Sequence, residues 1–145
     1  MLIFDRRFEI EDMVVGVMMN DEEWKDLTKL KQGINAGNGF TPECQSYNDF
    51  LKFIVEMEPH LRPKFIKWLT GSKRLPRGGF SSLANHVSVN RVADMSLKGI
   101  SPDEKLPSVN TCLHFIKYPS YSSYEILKQK FEIAITTGAD VFALN

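Results

Sequence analysis

The spacing of apolar residues changes partway along the chain, and this change restricts the fold more than any single motif does. Up to Gly71 the spacing is helical. Phe50, Ile54 and Met57 fall at i, i+4 and i+7, and Leu51, Phe53 and Val55 widen the apolar arc. They predict a helix from about Cys44 to Met57, stopped by Pro59. Phe65, Trp68 and Leu69 predict another over about Arg62–Leu69, with Gly71 where a left-handed cap is wanted. From His86 the spacing alternates instead. Val87 and Val89, then Val92 after Arg91, predict a strand over His86–Val92 with an irregularity near Asn90. Leu113, Phe115, Ile116 and Tyr118 predict a second strand, ended by Pro119. Ser122 and Glu125 have the spacing of a capping box, and Ile126, Leu127, Phe131, Ala134 and Ile135 carry a final helix that Gly138 is expected to end. Helices, then strands, then one packing helix make an α+β pattern, with helices packed on a small β-sheet.

A short helical segment precedes this body. Asn20 and Glu23 are spaced for capping, and Asp21, Glu22 and Glu23 put negative charge where a helix dipole favours it. Trp24, Leu27 and Leu30 give the apolar stripe. Gly33, Gly37 and Gly39 then read as permissive backbone, a linker or hinge. Ser72–Asn85, with Pro76, Gly78 and Gly79, and Ala93–Lys105, with Pro102, read as loops.

Composition narrows the function classes. Of 145 residues, 43% are hydrophobic and 25% charged, enough for one core with no disulfide or metal staple. Lys plus Arg equals Asp plus Glu, 18 each, and no basic run is interleaved with aromatics, so nucleic acid is not an expected partner. Met1–Phe4 meets Asp5, Arg6 and Arg7 before a signal peptide could form. No apolar run approaches the roughly 18–20 residues that span a bilayer, so no membrane partner is expected. A cytoplasmic or nuclear location follows as an expectation. There Cys44 and Cys112, far apart and in no CxxC, are expected as thiols, a single disulfide being the alternative. His60, His86 and His114 show no ligand spacing with either cysteine, so neither metal nor other cofactor is expected.

Cys112 is the residue with chemical potential. Taken alone, a cysteine is more often a small buried hydrophobe than a nucleophile. His114, two residues on, would share a face with Cys112 in a strand, but no Cys–His–Asn arrangement is legible. Cys44 opens a helix, where a thiol pKa can fall, yet it reads as structural.

Several blocks, in order, carry a resemblance. Leu106-Pro107-Ser108-Val109-Asn110-Thr111-Cys112 is followed by Ile116-Lys117-Tyr118-Pro119 and Tyr121-Ser122-Ser123, with Glu125, Leu127 and Lys130 beyond. Upstream, Phe65 to Phe80 reads FIKWLTGSKRLPRGGF. The chain resembles the C-terminal catalytic lobe of HECT-type ubiquitin ligases. That family has a Leu-Pro pair leading to Thr-Cys, then Leu-x-Leu-Pro-x-Tyr-x-Ser, and upstream Phe-Leu-x-Phe-Val-Thr-Gly-Ser-x-Arg-Leu-Pro-x-Gly-Gly-Phe. Phe142, fourth from the end, fits its C-terminal aromatic. The likeness covers residues 38–145 strongly and 8–37 moderately, through Trp24 and the glycines. Trp68, Leu69, Ile116 and Tyr118 depart from the pattern as repacking would. Asn110 stands where many members carry His, and can only hydrogen-bond.

The resemblance implies a two-step reaction. Cys112 takes ubiquitin from a conjugating enzyme as a thioester, and a substrate lysine then attacks it. Thr111 would shape the site, Asn110 and His114 would flank it, Phe142 would place the acceptor side, and Asp140 could orient or deprotonate the lysine. The resemblance also implies a division: residues 1–35 as the end of a larger N-lobe that docks the conjugating enzyme, 36–39 as the hinge, and 40–145 as the C-lobe. Two other readings stand beside it: a ubiquitin-binding or regulatory domain of this fold without turnover, and an unrelated cysteine hydrolase, for which no base partner is apparent.

Overall fold

The computed structural model describes residues 21–72, 75, 79–83, 86–92, 99 and 101–144, the side chains of 138–144 excepted. The elements run α1 (Asp21–Trp24), α2 (Leu27–Gly33), β1 (Ile34–Ala36), α3 (Gln45–Glu56), α4 (Arg62–Thr70), β2 (Val87–Arg91), β3 (Ser108–Asn110), β4 (Phe115–Tyr118) and α5 (Tyr124–Leu144), with 3-10 turns at Gly79–Ser82 and Pro102–Glu104. This is an α+β arrangement around a mixed sheet of strand order β1-β2-β4-β3. β2 pairs in parallel with both β1 and β4, while β3 runs antiparallel to β4.

The helical periodicity before Gly71 is borne out. In α3, Phe50, Leu51, Phe53 and Ile54 are buried, and Cys44 caps the helix, its Sγ accepting from Tyr47 N–H. The cysteine that opens this helix therefore has a structural task. α4 ends at Gly71, whose φ of 78° supplies the left-handed cap. Phe131 of α5 lies against Phe50, Phe53, Trp68 and Tyr118, with ring centroids 5.2–5.9 Å apart. One aromatic core thus joins α3, α4, α5 and the sheet.

Several local expectations are corrected. The first stripe is two helices, because Asp26 accepts from the N–H of Thr28 and Lys29 and starts a second one. Trp24 of α1 is buried in the main core, its Nε1–H donating to the Ile54 carbonyl at 2.6 Å. The glycine-rich stretch is not slack linker: Ile34–Ala36 forms a strand against Val87–Val89, and Gly37 N–H continues the ladder to the Val89 carbonyl. A side chain at Gly37 would overlap Asn90 Oδ1 and lie 2.6 Å from Ser88 Oγ. Close approach, not mobility, explains the glycine there. The irregularity expected at Asn90 is a buried polar knot. Asn90 accepts from Asn38 N–H and donates to Ser88 Oγ and the Ile116 carbonyl.

The last helix differs at both ends. It starts at Tyr124, so Ser123 caps it, accepting from Ile126 N–H, while Ser122 donates its hydroxyl to Asp103 instead of forming the capping box. The helix also continues through Gly138 to Leu144. One glycine inside a long helix costs only about 1 kcal/mol, too little to stop it.

Candidate active site

Cys112 sits on a hairpin turn. β3 and β4 pair with Asn110 opposite Phe115, Val109 opposite Ile116 and Ser108 opposite Lys117, so Thr111–His114 are the four connecting residues. Cys112 and Leu113 are exposed at this tip, Leu113 at 56%. Its exposure sets Cys112 apart from the buried structural cysteine that residue type alone would suggest.

Contacts on both sides of Cys112 hold the turn. Asn110 Oδ1 accepts from the backbone N–H of Cys112 at 3.0 Å and of Leu113 at 3.2 Å. The His114 carbonyl accepts from Ser88 N–H at 3.0 Å, tying the far side of the turn to β2. On the near side the end of α4 comes up to Thr111, whose Cβ lies 3.9 Å from where a Gly71 side chain would start. His114 itself has φ of 53°, a left-handed conformation that costs a non-glycine residue of order 1–2 kcal/mol and that the surrounding bonds must hold.

The segment leading into β3 is latched to the start of α5. Asp103 accepts from both the N–H and the hydroxyl of Ser122, at 2.9 and 2.7 Å, and these bonds hold its carboxyl below the usual carboxylate range. The Tyr121 hydroxyl donates to the Lys105 carbonyl at 2.6 Å. Among the described residues, no group of three or more His, Cys, Asp or Glu side chains comes together as a metal site, and no helix is long and apolar enough to cross a membrane.

A family model described as HECT-domain (ubiquitin-transferase) matches residues 3–145. The chain belongs to the HECT-domain family. It is 38% identical over 134 residues to ubiquitin fusion degradation protein 4 of Saccharomyces cerevisiae, 31% over 137 residues to E3 ubiquitin-protein ligase TRIP12 of Danio rerio, and 30% over 152 residues to E3 ubiquitin-protein ligase UPL4 of Arabidopsis thaliana. These matches cover 92%, 94% and 98% of this chain but only 9%, 6% and 10% of the relatives.

Of the residues that the HECT resemblance singled out, Asn110, Thr111, Cys112 and His114 come together in one turn. Cys112 and His114 do not share a strand face, because the strand begins only at Phe115 and both residues lie in the turn before it. Asp140 and Phe142 fall in the last turns of α5, but their side chains lie outside the described residues. Sequence reasoning missed the double acceptor role of Asn110. An Asn two positions before the residue it caps is the spacing of an Asx turn, so the signal was present.

Proposed function

We propose that this chain is the ubiquitin-accepting lobe of a HECT ligase, with Cys112 as the acceptor. In the first step the Cys112 thiolate attacks the carbonyl carbon of the donor thioester. The new S–C bond forms, the donor sulfur leaves as thiolate, and ubiquitin is held on Cys112. In the second, a substrate lysine amine attacks the same carbonyl, the Cys112 thiolate leaves, and the amine proton is lost to the surroundings. The observation that carries this reading is the exposure of Cys112 at a pinned hairpin tip in a HECT-family chain. A thiol that must meet two bulky macromolecular partners in turn has to project from the surface.

Within the proposal, the conjugating enzyme docks on a larger lobe preceding this one. Trp24 and Leu30 are buried in the common core, so residues 21–33 pack with this lobe. Thr111 and His114 would shape the turn, and Asp140 and Phe142 would serve the lysine side. A thiol relay needs a reducing compartment, so cytoplasm or nucleus is the proposed location.

Cys112→Ala should abolish the thiol-labile ubiquitin adduct on a non-reducing gel, while Cys44→Ala should keep it. Normal ligation by Cys112→Ala would defeat the assignment. Ubiquitin binding without any adduct in the unaltered protein would favour the non-catalytic reading.

A further inference from the structure

We propose that Asn110 is the positioning residue for Cys112: its carboxamide oxygen, by holding the N–H groups of Cys112 and Leu113 together, sets the direction in which the thiol meets the donor thioester. The inference rests on Cys112 being the acceptor. Asn110 ends β3 and stands opposite Phe115, so its backbone is fixed by the sheet while its side chain folds forward over the turn. One acceptor taking two successive N–H groups restrains the backbone on both sides of the Cys112 side chain. The Ser88 bond to the His114 carbonyl restrains only the far end of the turn.

The bonds also have a chemical consequence. While the cap holds, neither N–H is available to the carbonyl oxygen of an incoming thioester. Hydrolases place backbone donors at that oxygen to stabilise negative charge. Exchange between two cysteine sulfurs exchanges leaving groups of like quality, and its rate depends on the direction from which the thiolate approaches the carbonyl. The cap therefore commits these two N–H groups to orienting Cys112, so a donor to the thioester oxygen has to come from elsewhere.

The test compares Asn110→Ala and Asn110→Ser with the unaltered chain by three measurements. Backbone hydrogen exchange at Cys112 and Leu113 reports the cap without ubiquitin. It should speed up about tenfold in Asn110→Ala and return towards normal in Asn110→Ser, whose hydroxyl can accept in the same way. Loading of ubiquitin from a charged conjugating enzyme should fall about tenfold or more in Asn110→Ala and recover in Asn110→Ser. Alkylation of Cys112 by iodoacetamide, which needs an exposed thiolate but no fixed direction, should change less than about twofold. A simple collapse of the turn would move alkylation and loading together, and that result overturns the proposal. So does loading by Asn110→Ala at the normal rate, or restored exchange protection in Asn110→Ser without restored loading. Loading is measured in the whole ligase, which carries the docking lobe: if the unaltered ligase forms no adduct on Cys112, the acceptor reading falls and this inference with it. If it loads normally and only the Asn110 variants disagree, the acceptor reading stands alone.

Discussion

Gly37→Ala tests the structural account most directly, because the sequence and the packing assign this glycine opposite tasks. As a hinge it would tolerate alanine with little loss of stability. In the structure, the added methyl would overlap Asn90 Oδ1 and crowd Ser88 Oγ. Asn90 is 2% exposed and ties its own strand β2 to the turn after β1 and to β4, through Ser88 Oγ at 3.0 Å, Asn38 N–H at 2.8 Å and the Ile116 carbonyl at 3.3 Å. Forcing it aside leaves one or two polar groups partly unsatisfied, each worth about 1–3 kcal/mol when buried. The expected loss is about 2–4 kcal/mol after local relaxation. With a urea m-value of about 2 kcal/mol/M, the unfolding midpoint should drop by about 1–2 M. A double-mutant cycle locates the cause. Removing the Asn90 side chain makes room for the methyl, so Gly37→Ala should cost far less in an Asn90→Ala background. A loss under about 0.5 kcal/mol, or full additivity with Asn90→Ala, would refute the close-packing argument.

At His114, valine should destabilise by about 1–2 kcal/mol because a β-branched residue resists positive φ, whereas glycine should fold normally. Loading of ubiquitin by His114→Gly would show that the imidazole is no obligatory base, and a folded variant that fails to load would show that it takes part. The Asp103–Ser122 latch should appear in acid unfolding: the folded pKa of Asp103 is depressed, so its stabilising contribution is present above the unfolded value of 3.8 and is lost as pH falls through the folded value. Ser122→Ala should flatten that acid limb slightly, the carboxylate being solvent-screened, and an unchanged profile would count against the latch. Phe142→Ala should form the Cys112 thioester but discharge it to lysine slowly in single turnover, with normal thermal stability; normal discharge would remove its proposed role on the lysine side.

The reach of the sequence follows the range of the interactions. Helices α3 and α4, the strand at Val87–Arg91 and the body of the last helix were legible because apolar period and caps act within a few residues. Cys112 was legible through its motif, not through local physics. What the sequence could not decide was held by partners distant along the chain. Ile34–Ala36 has too few residues to show a period, and becomes a strand only because Val87–Val89 offers hydrogen bonds. Trp24 joins the main core because Ile54 supplies a carbonyl thirty positions away. The stop expected at Gly138 failed because a glycine's modest cost is smaller than the cooperative gain of continuing a helix already formed. The sequence by itself thus determined the α+β class and the main helices, and its motif singled out Cys112 as the candidate thiol. The tertiary structure decided that Ile34–Ala36, between the glycines, is a strand and that the thiol sits on a turn, since pairing and close approach exist only once the chain has folded.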